Sequence, residues 1–212
     1  MPRLMKIGIN DREISLLHDR ILLVGLGHKA RNGKHYFARR VQRYLTVPSG
    51  IYAFADSLKA MCRLTYGMKK KNPAILLSVG DRYRRIDPCI FVEALSDALE
   101  ESADDIGPHV ALIADVRYPE EADFIQRHGL LLKVTLAEHG KPIITSDGRA
   151  DHTSENSLND YRGWDYTFSF EKENPLIIGL DAICMAKKFS EMLRSVIRPC
   201  TLWEWDQLYK RG

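Results

Sequence analysis

Long apolar runs are missing from this sequence. The longest fall far short of the ~20 consecutive apolar residues that a membrane-spanning helix needs, so no membrane segment is expected. Charge of one sign is scarce too: 31 Lys and Arg against 28 Asp and Glu leave a formal net charge of +3. That excess is too mild to make a nucleic-acid backbone the main partner, because tracking phosphates takes a larger basic surface. Cysteine is sparse. Cys62, Cys89, Cys184 and Cys200 form no C-x-x-C pair and have no His pair at finger spacing, which argues against a zinc site. They read as reduced thiols of a cytoplasmic protein. The first residues carry no secretory-signal pattern. No internal repeat, low-complexity tract, H-E-x-x-H or nucleophile elbow occurs, so solenoid, metalloprotease and serine-hydrolase readings lack support.

What is present begins with ILLVGLGHKARNGKH, residues 21–35. An apolar strand-forming run feeds a glycine turn that ends in Gly33-Lys34, and a helix-like segment follows. That is the order of parts in a P-loop, where backbone N–H groups and one lysine cradle nucleotide phosphates. The G-x-x-x-x-G-K-[ST] pattern wants glycine at position 28 and Ser or Thr at 35; this chain has His28 and His35. His tolerates a left-handed backbone better than most residues. The lost hydroxyl normally ligates Mg2+, a hard ion that prefers oxygen to imidazole. The turn also fits G-x-G-x-x-[GA], the dinucleotide fingerprint. That pattern needs a carboxylate about 20 residues on, and residues 44–50 hold none.

Along the chain, residues 6–10 and 13–17 read as a short hairpin or an arm, and 1–20 stand apart from a main domain over 21–198 with a tail at 199–212. Strands are expected at 20–26, 51–54, 109–114, 130–136 and 166–170, the last beginning an alternation with Trp164. Helices are expected at 34–45, from Asp56 as N-cap, at 74–83, at 88–101, at 118–128 and at 176–197. The polar stretch 137–162 reads as a lid-like excursion. The alternation predicts an α/β fold with a mainly parallel sheet flanked by helices.

Later segments add to the loop. They are Phe54-Ala55-Asp56-Ser57, Gly80-Asp81-Arg82-Tyr83-Arg84-Arg85-Ile86-Asp87-Pro88, Asp115-Val116-Arg117-Tyr118-Pro119-Glu120-Glu121, and His152-Thr153-Ser154-Glu155. In this order and spacing the chain resembles the bacteriophage deoxynucleoside monophosphate kinases over about residues 21–170 and, more distantly, the animal phosphomevalonate kinases of the same P-loop superfamily. The family pattern after the loop glycine is usually Gly-Lys-Asp-Thr, where this chain has Gly33-Lys34-His35-Tyr36.

Phosphoryl transfer needs positioning and charge neutralisation more than covalent chemistry. Lys34 is expected to bridge the β- and γ-phosphates of ATP, on a loop completed by Lys29, Arg31, Asn32 and Gly33. Arg84 or Arg85 is expected to clamp an acceptor monophosphate with Asp87 orienting it, and Arg117 to meet the transferring group. Asp115 ends a strand as a Walker-B carboxylate does. Together with Asp56 it is the expected holder of Mg2+. Asp56 reads equally as a plain helix cap. The resemblance implies nucleotide- or acceptor-side roles for His152 and Glu155. The expected partners are therefore ATP, Mg2+ and a small-molecule nucleotide, with a homodimer left open. Two alternatives remain: a P-loop module that has lost catalysis and serves binding or assembly, and a P-loop kinase whose acceptor is a modified base in DNA or another phosphorylated metabolite.

Overall fold

The structure, a computed structural model, describes residues 6–9, 12–29, 32–138, 141–142, 152–171 and 175–201. Arg31 and, within the expected lid-like stretch, residues 139–140 and 143–151 lie outside the described residues. The first two strands, β1 (Lys6–Ile9) and β2 (Arg12–Ser15), pair antiparallel as a hairpin. Arg12 fastens it to the rest of the chain. Its guanidinium donates to both carboxylate oxygens of Asp165 at 2.8 Å and to the main-chain carbonyls of Gln126 and Gly129.

The central strand β3 (Ile21–Gly27) is buried along its whole length and feeds α1 (Lys34–Tyr44). There follow β4 (Ser49–Tyr52), α2 (Ala55–Tyr66), α3 (Pro73–Ile86), α4 (Ile90–Ile106), β5 (His109–Val116) and α5 (Pro119–His128). The chain continues through β6 (Gly129–Glu138), β7 (Lys141–Pro142), α6 (Thr153–Asn156), β8 (Tyr166–Glu171) and α7 (Pro175–Thr201). Five strands run parallel in the order β4-β5-β3-β6-β8, and β7 pairs antiparallel with the last two residues of β6. This is the expected α/β class: a mainly parallel sheet covered on both faces.

The covering follows from the period of two in a strand. Leu22, Val24 and Leu26 point to one face with Val110, Leu112, Leu130 and Leu132, under α1 and α7. Ile21 and Leu23 point to the other with Ala111, Ile113 and Leu131, under α2, α4 and α5. Because both faces are buried, β3 and β5 read as unbroken apolar runs rather than alternating ones. The chain leaves β3 for β4 and β5 on one side and goes to β6 and β8 on the other, so the strand order reverses at β3. The crevice beyond the carboxyl ends of β3 and β5 is where ligands bind in open α/β sheets. No described helix is long and apolar enough to cross a membrane.

Several element boundaries differ from the expectations. Helix α2 begins at Ala55 with Phe54 at its N-cap, so Asp56 lies within the first turn instead of capping it. Pro88 precedes α4 by a turn and does not sit inside it, because Asp87 Oδ1 accepts from Cys89 N–H at 2.8 Å and bends the chain first. Trp164 stands before β8 and packs with the α2/α4/α5 side, whereas Tyr166, Phe168 and Phe170 pack with the α1/α7 side.

Candidate active site

The glycine turn places Lys34 first. Gly33 has φ 74°, a left-handed conformation that glycine adopts without steric cost. This turns the chain so that Lys34 opens α1 with its side chain directed back under the loop. The Lys34 ammonium donates to the carbonyl of His28 at 2.9 Å and to that of Lys29. The residue is only 6% exposed. Burial and the nearby Arg117 charge pull its pKa from 10.5 to about 7, against the opposing pull of Glu155 and Asp115. A buried cation on neutral carbonyls is poised to gain from any anion that reaches it.

His28 takes the position that a P-loop gives to glycine, with φ 86°. For a residue with a Cβ this costs of order 1–3 kcal/mol and needs support from its surroundings. The support is Trp164, whose ring meets the imidazole edge-on with centroids 6.4 Å apart. Gly27 makes room for that ring: a Cβ there would lie 2.6 Å from it. Burial, with the charges of Lys133, Lys29 and Lys34, lowers the His28 pKa to about 4, so the ring is neutral near pH 7. Asn32 is buried and donates to the Val134 carbonyl at 3.2 Å, pinning the loop to β6.

Beyond the carboxyl ends of β4 and β5 lies a cleft of about 360 Å3, lined in part by Phe54, Leu58, Leu76 and Leu77 on one wall and by Arg84, Asp115, Arg117 and Glu121 on another. Arg84 is held in three ways. Its guanidinium lies 3.9 Å from the centre of the Tyr118 ring and 4.5 Å from that of Phe91, and it donates to Glu121 at 2.9 Å. The second oxygen of Glu121 accepts from the main-chain N–H groups of Arg117 (2.8 Å) and Tyr118 (3.2 Å), capping α5. One carboxylate thus ties the Arg84 side chain to the Arg117 backbone. Burial pushes the Glu121 pKa up to about 7, with the Arg84 charge opposing. The Arg117 side chain is itself paired with Glu155 of α6.

Asp115 is partly buried at the cleft and accepts from Phe54 N–H (2.8 Å) and Ala55 N–H (3.1 Å), one on each oxygen. Burial pushes its carboxyl above the usual range, while those two N–H groups pull the other way. It therefore anchors the start of α2 at the mouth of the cleft. Asp56 is ion-paired with Lys59 at 2.7 Å, its side chain 60% exposed, and it does not line the cleft. His35, in place of a hydroxyl, does. Among the described residues no three His, Cys, Asp or Glu side chains converge as a metal site. Of the expected Asp115–Asp56 pair only Asp115 lines the cleft, so the described residues build no all-protein cage, and a Mg2+ arriving with ATP would meet Asp115 there.

The other expected site residues divide. Arg84, Arg117 and Glu155 meet at the cleft. Arg85 is exposed and outside it, and Asp87 serves the turn before α4 rather than an arginine, a task that falls to Glu121. His152 caps α6: its Nδ1 accepts from Ser154 N–H at 3.1 Å, and its Nε2 meets Asp81 at 3.1 Å. Sequence reasoning missed Glu121, Asp81 and Ser154 as site residues. The signals were there: Glu121 stands at the third position of a Pro-led helix, where a carboxylate caps the N-terminus, and Asp81 lies three residues before Arg84 on one helix face.

No protein-family model matches the chain, and no curated protein matches it by sequence. Solved structures with a similar arrangement include the tunicamycin resistance protein of Deinococcus radiodurans, at 14% identity and a TM-score of 0.46, over 82% of this chain and 96% of that one. The shikimate kinase of Bacteroides thetaiotaomicron aligns at 15% identity and 0.44, over 82% and 98% of the two chains. A sugar kinase from Janibacter sp. HTCC2649 aligns at 12% and 0.43, over 84% and 97%. At these values the likeness does not reach the site residues or their chemistry.

Proposed function

We propose that this chain transfers the γ-phosphoryl group of ATP to a nucleoside monophosphate, in the manner of the deoxynucleoside monophosphate kinases it resembles. The observation that carries the reading is the buried Lys34 at a strand-to-helix turn, with its ammonium on loop carbonyls, beside a cleft that holds two arginines. Lys34 would exchange the carbonyls of His28 and Lys29 for phosphate oxygens. Arg84, fixed between two rings, would hold the acceptor phosphate, and the apolar wall of Leu58, Leu76 and Leu77 suits a base and sugar. Arg117 would stabilise the charge of the group in flight. No step here is routed through a metal ion.

The test is ADP release measured across all common ribo- and deoxyribonucleoside monophosphates, with Lys34→Ala as control. Turnover with one or a few acceptors, lost in the variant, is expected; silence with every acceptor ends the kinase reading. A second reading, a nucleotide-binding module without catalysis, is favoured by His35 at the hydroxyl position and by the lack of a convergent donor set among the described residues. Thermal stabilisation by ATP without turnover would select it.

A further inference from the structure

One hydrogen-bonded chain at the cleft is not used by the reading above. Asp81 and Ser154 both line the cleft, and His152 joins them. Its Nε2 lies 3.1 Å from Asp81 Oδ2, and its Nδ1 lies 2.9 Å from Ser154 Oγ. The tautomer follows from the partners. A backbone N–H can only donate, and Ser154 N–H points at Nδ1 from 3.1 Å. Nδ1 is therefore the unprotonated nitrogen of the neutral ring, and Nε2 carries the hydrogen, donated to the Asp81 carboxylate. The Ser154 hydroxyl, 2.9 Å away, then has Nδ1 as an acceptor and shares its lone pair with the backbone N–H. This is the polarity of an activated nucleophile: hydroxyl to imidazole to carboxylate. It is assembled from two distant segments, since Asp81 belongs to α3 and the other two to the start of α6. The next residue, Glu155, holds Arg117, so the hydroxyl sits one residue from the partner of a guanidinium that faces the cleft. By contrast, the Ser157 hydroxyl of the same turn donates to the Thr153 carbonyl at 2.7 Å, an ordinary helix contact.

We propose that Ser154 is a phosphoryl acceptor within this protein, modified by the nucleoside triphosphate bound at the Lys34 loop, with His152 and Asp81 as its base relay. The proposal rests on the phosphotransfer reading. In the step, Ser154 Oγ forms a bond to the γ-phosphorus and the bond from that phosphorus to the bridging oxygen breaks. ADP leaves with the electron pair. The hydroxyl proton passes to His152 Nδ1, and the imidazolium is stabilised by Asp81. The product places a dianionic group beside Glu155, where it competes for Arg117.

Two experiments on the full chain test this. In the first, the protein is incubated with ATP labelled at the γ-phosphorus and digested, and its peptides are read by mass spectrometry. Phosphate on Ser154, none on Ser157, and loss of the label in Lys34→Ala and His152→Gln are the expected results. Thermal shift with ATP is measured in parallel. No shift overturns both the phosphotransfer reading and this proposal. A clear shift with Ser154 unmodified overturns this proposal alone. The second experiment needs no nucleotide. In Ser154→Cys the relay should ionise the thiol, so alkylation of that peptide by iodoacetamide near pH 7 should run roughly 10-fold faster than in the same variant carrying Asp81→Asn or His152→Gln. Equal rates overturn the relay.

Discussion

The loop and the arginine wall hold their cations in opposite ways. At the loop, Lys34 rests on two main-chain carbonyls and is desolvated until its pKa reaches about 7. Across the cleft, Arg84 and Arg117 each have a dedicated carboxylate, Glu121 and Glu155. The loop cation is thus under-compensated and gains directly from an incoming phosphate. The arginines are already neutralised. An anion there must share Arg84 with Glu121 or displace Glu155 from Arg117, which favours selectivity over raw affinity. On the proposed phosphotransfer, the donor side attracts and the acceptor side discriminates.

Breaking the arginine wall should have the largest effect. Glu121→Ala leaves Arg84 without its buried partner and opens the cap of α5, and should cost about 3–5 kcal/mol in urea unfolding; Glu121→Gln, which keeps a capping oxygen, should cost less. An unchanged midpoint for Glu121→Ala would mean that the rings alone hold Arg84. Breaking the loop should leave the fold intact. Lys34→Ala removes a desolvated charge, so the melting temperature should hold or rise near pH 7. ADP release should nevertheless fall about 100-fold or more, equivalent to ~2.7 kcal/mol.

A pH series sharpens the contrast further. Lys34 in the free protein titrates at about 7, well below its ordinary 10.5. The folded state therefore binds fewer protons than the unfolded one between those values, and this group's contribution to stability rises with pH across that window. ATP favours the ammonium form, so its binding should take up a proton above pH 7, and affinity should weaken by up to about tenfold per pH unit there. Calorimetry in buffers of different ionisation enthalpy reads the proton directly; pH-independent affinity from 7 to 9 would contradict the buried, uncompensated lysine. The smallest effect is expected at Asp56, whose exposed carboxylate pairs with Lys59 at the cleft edge but does not itself line the cleft. Asp56→Asn should shift stability by less than about 0.5 kcal/mol and leave ATP binding unchanged; a large loss of ATP binding would restore it to the site.

What the sequence made legible follows the same division. The loop is local. Strand, glycine turn and lysine lie within fifteen residues, so hydrophobic period and turn chemistry alone marked Lys34, and even the left-handed backbone at His28 was readable from its position in the pattern. The arginine wall is assembled from four segments. Motif spacing brought Arg84, Arg117 and Glu155 into view, but not that Glu121 rather than Asp87 would orient Arg84. That depends on α5 packing its first turn against the end of α3, a tertiary fact. Asp115 was legible only in part, for a related reason. A carboxylate at a strand end suits a metal, and also suits the free N–H groups of a neighbouring helix start; here it accepts from the helix start, a contact that strand pattern alone did not reveal. The relay through His152 escaped because its two halves are 71 residues apart in the chain.

The clasp of Arg12 on Asp165 has a consequence for how the protein is made. The two residues are 153 apart in sequence. At ordinary rates of synthesis, roughly ten to thirty seconds pass between their emergence from the ribosome. Throughout that interval the guanidinium lacks its carboxylate partner, and until Gln126 and Gly129 emerge it lacks its carbonyl acceptors as well. The hairpin therefore completes its clasp late, and a slow codon placed before residue 165 acts on a hairpin still without that carboxylate rather than on the finished domain.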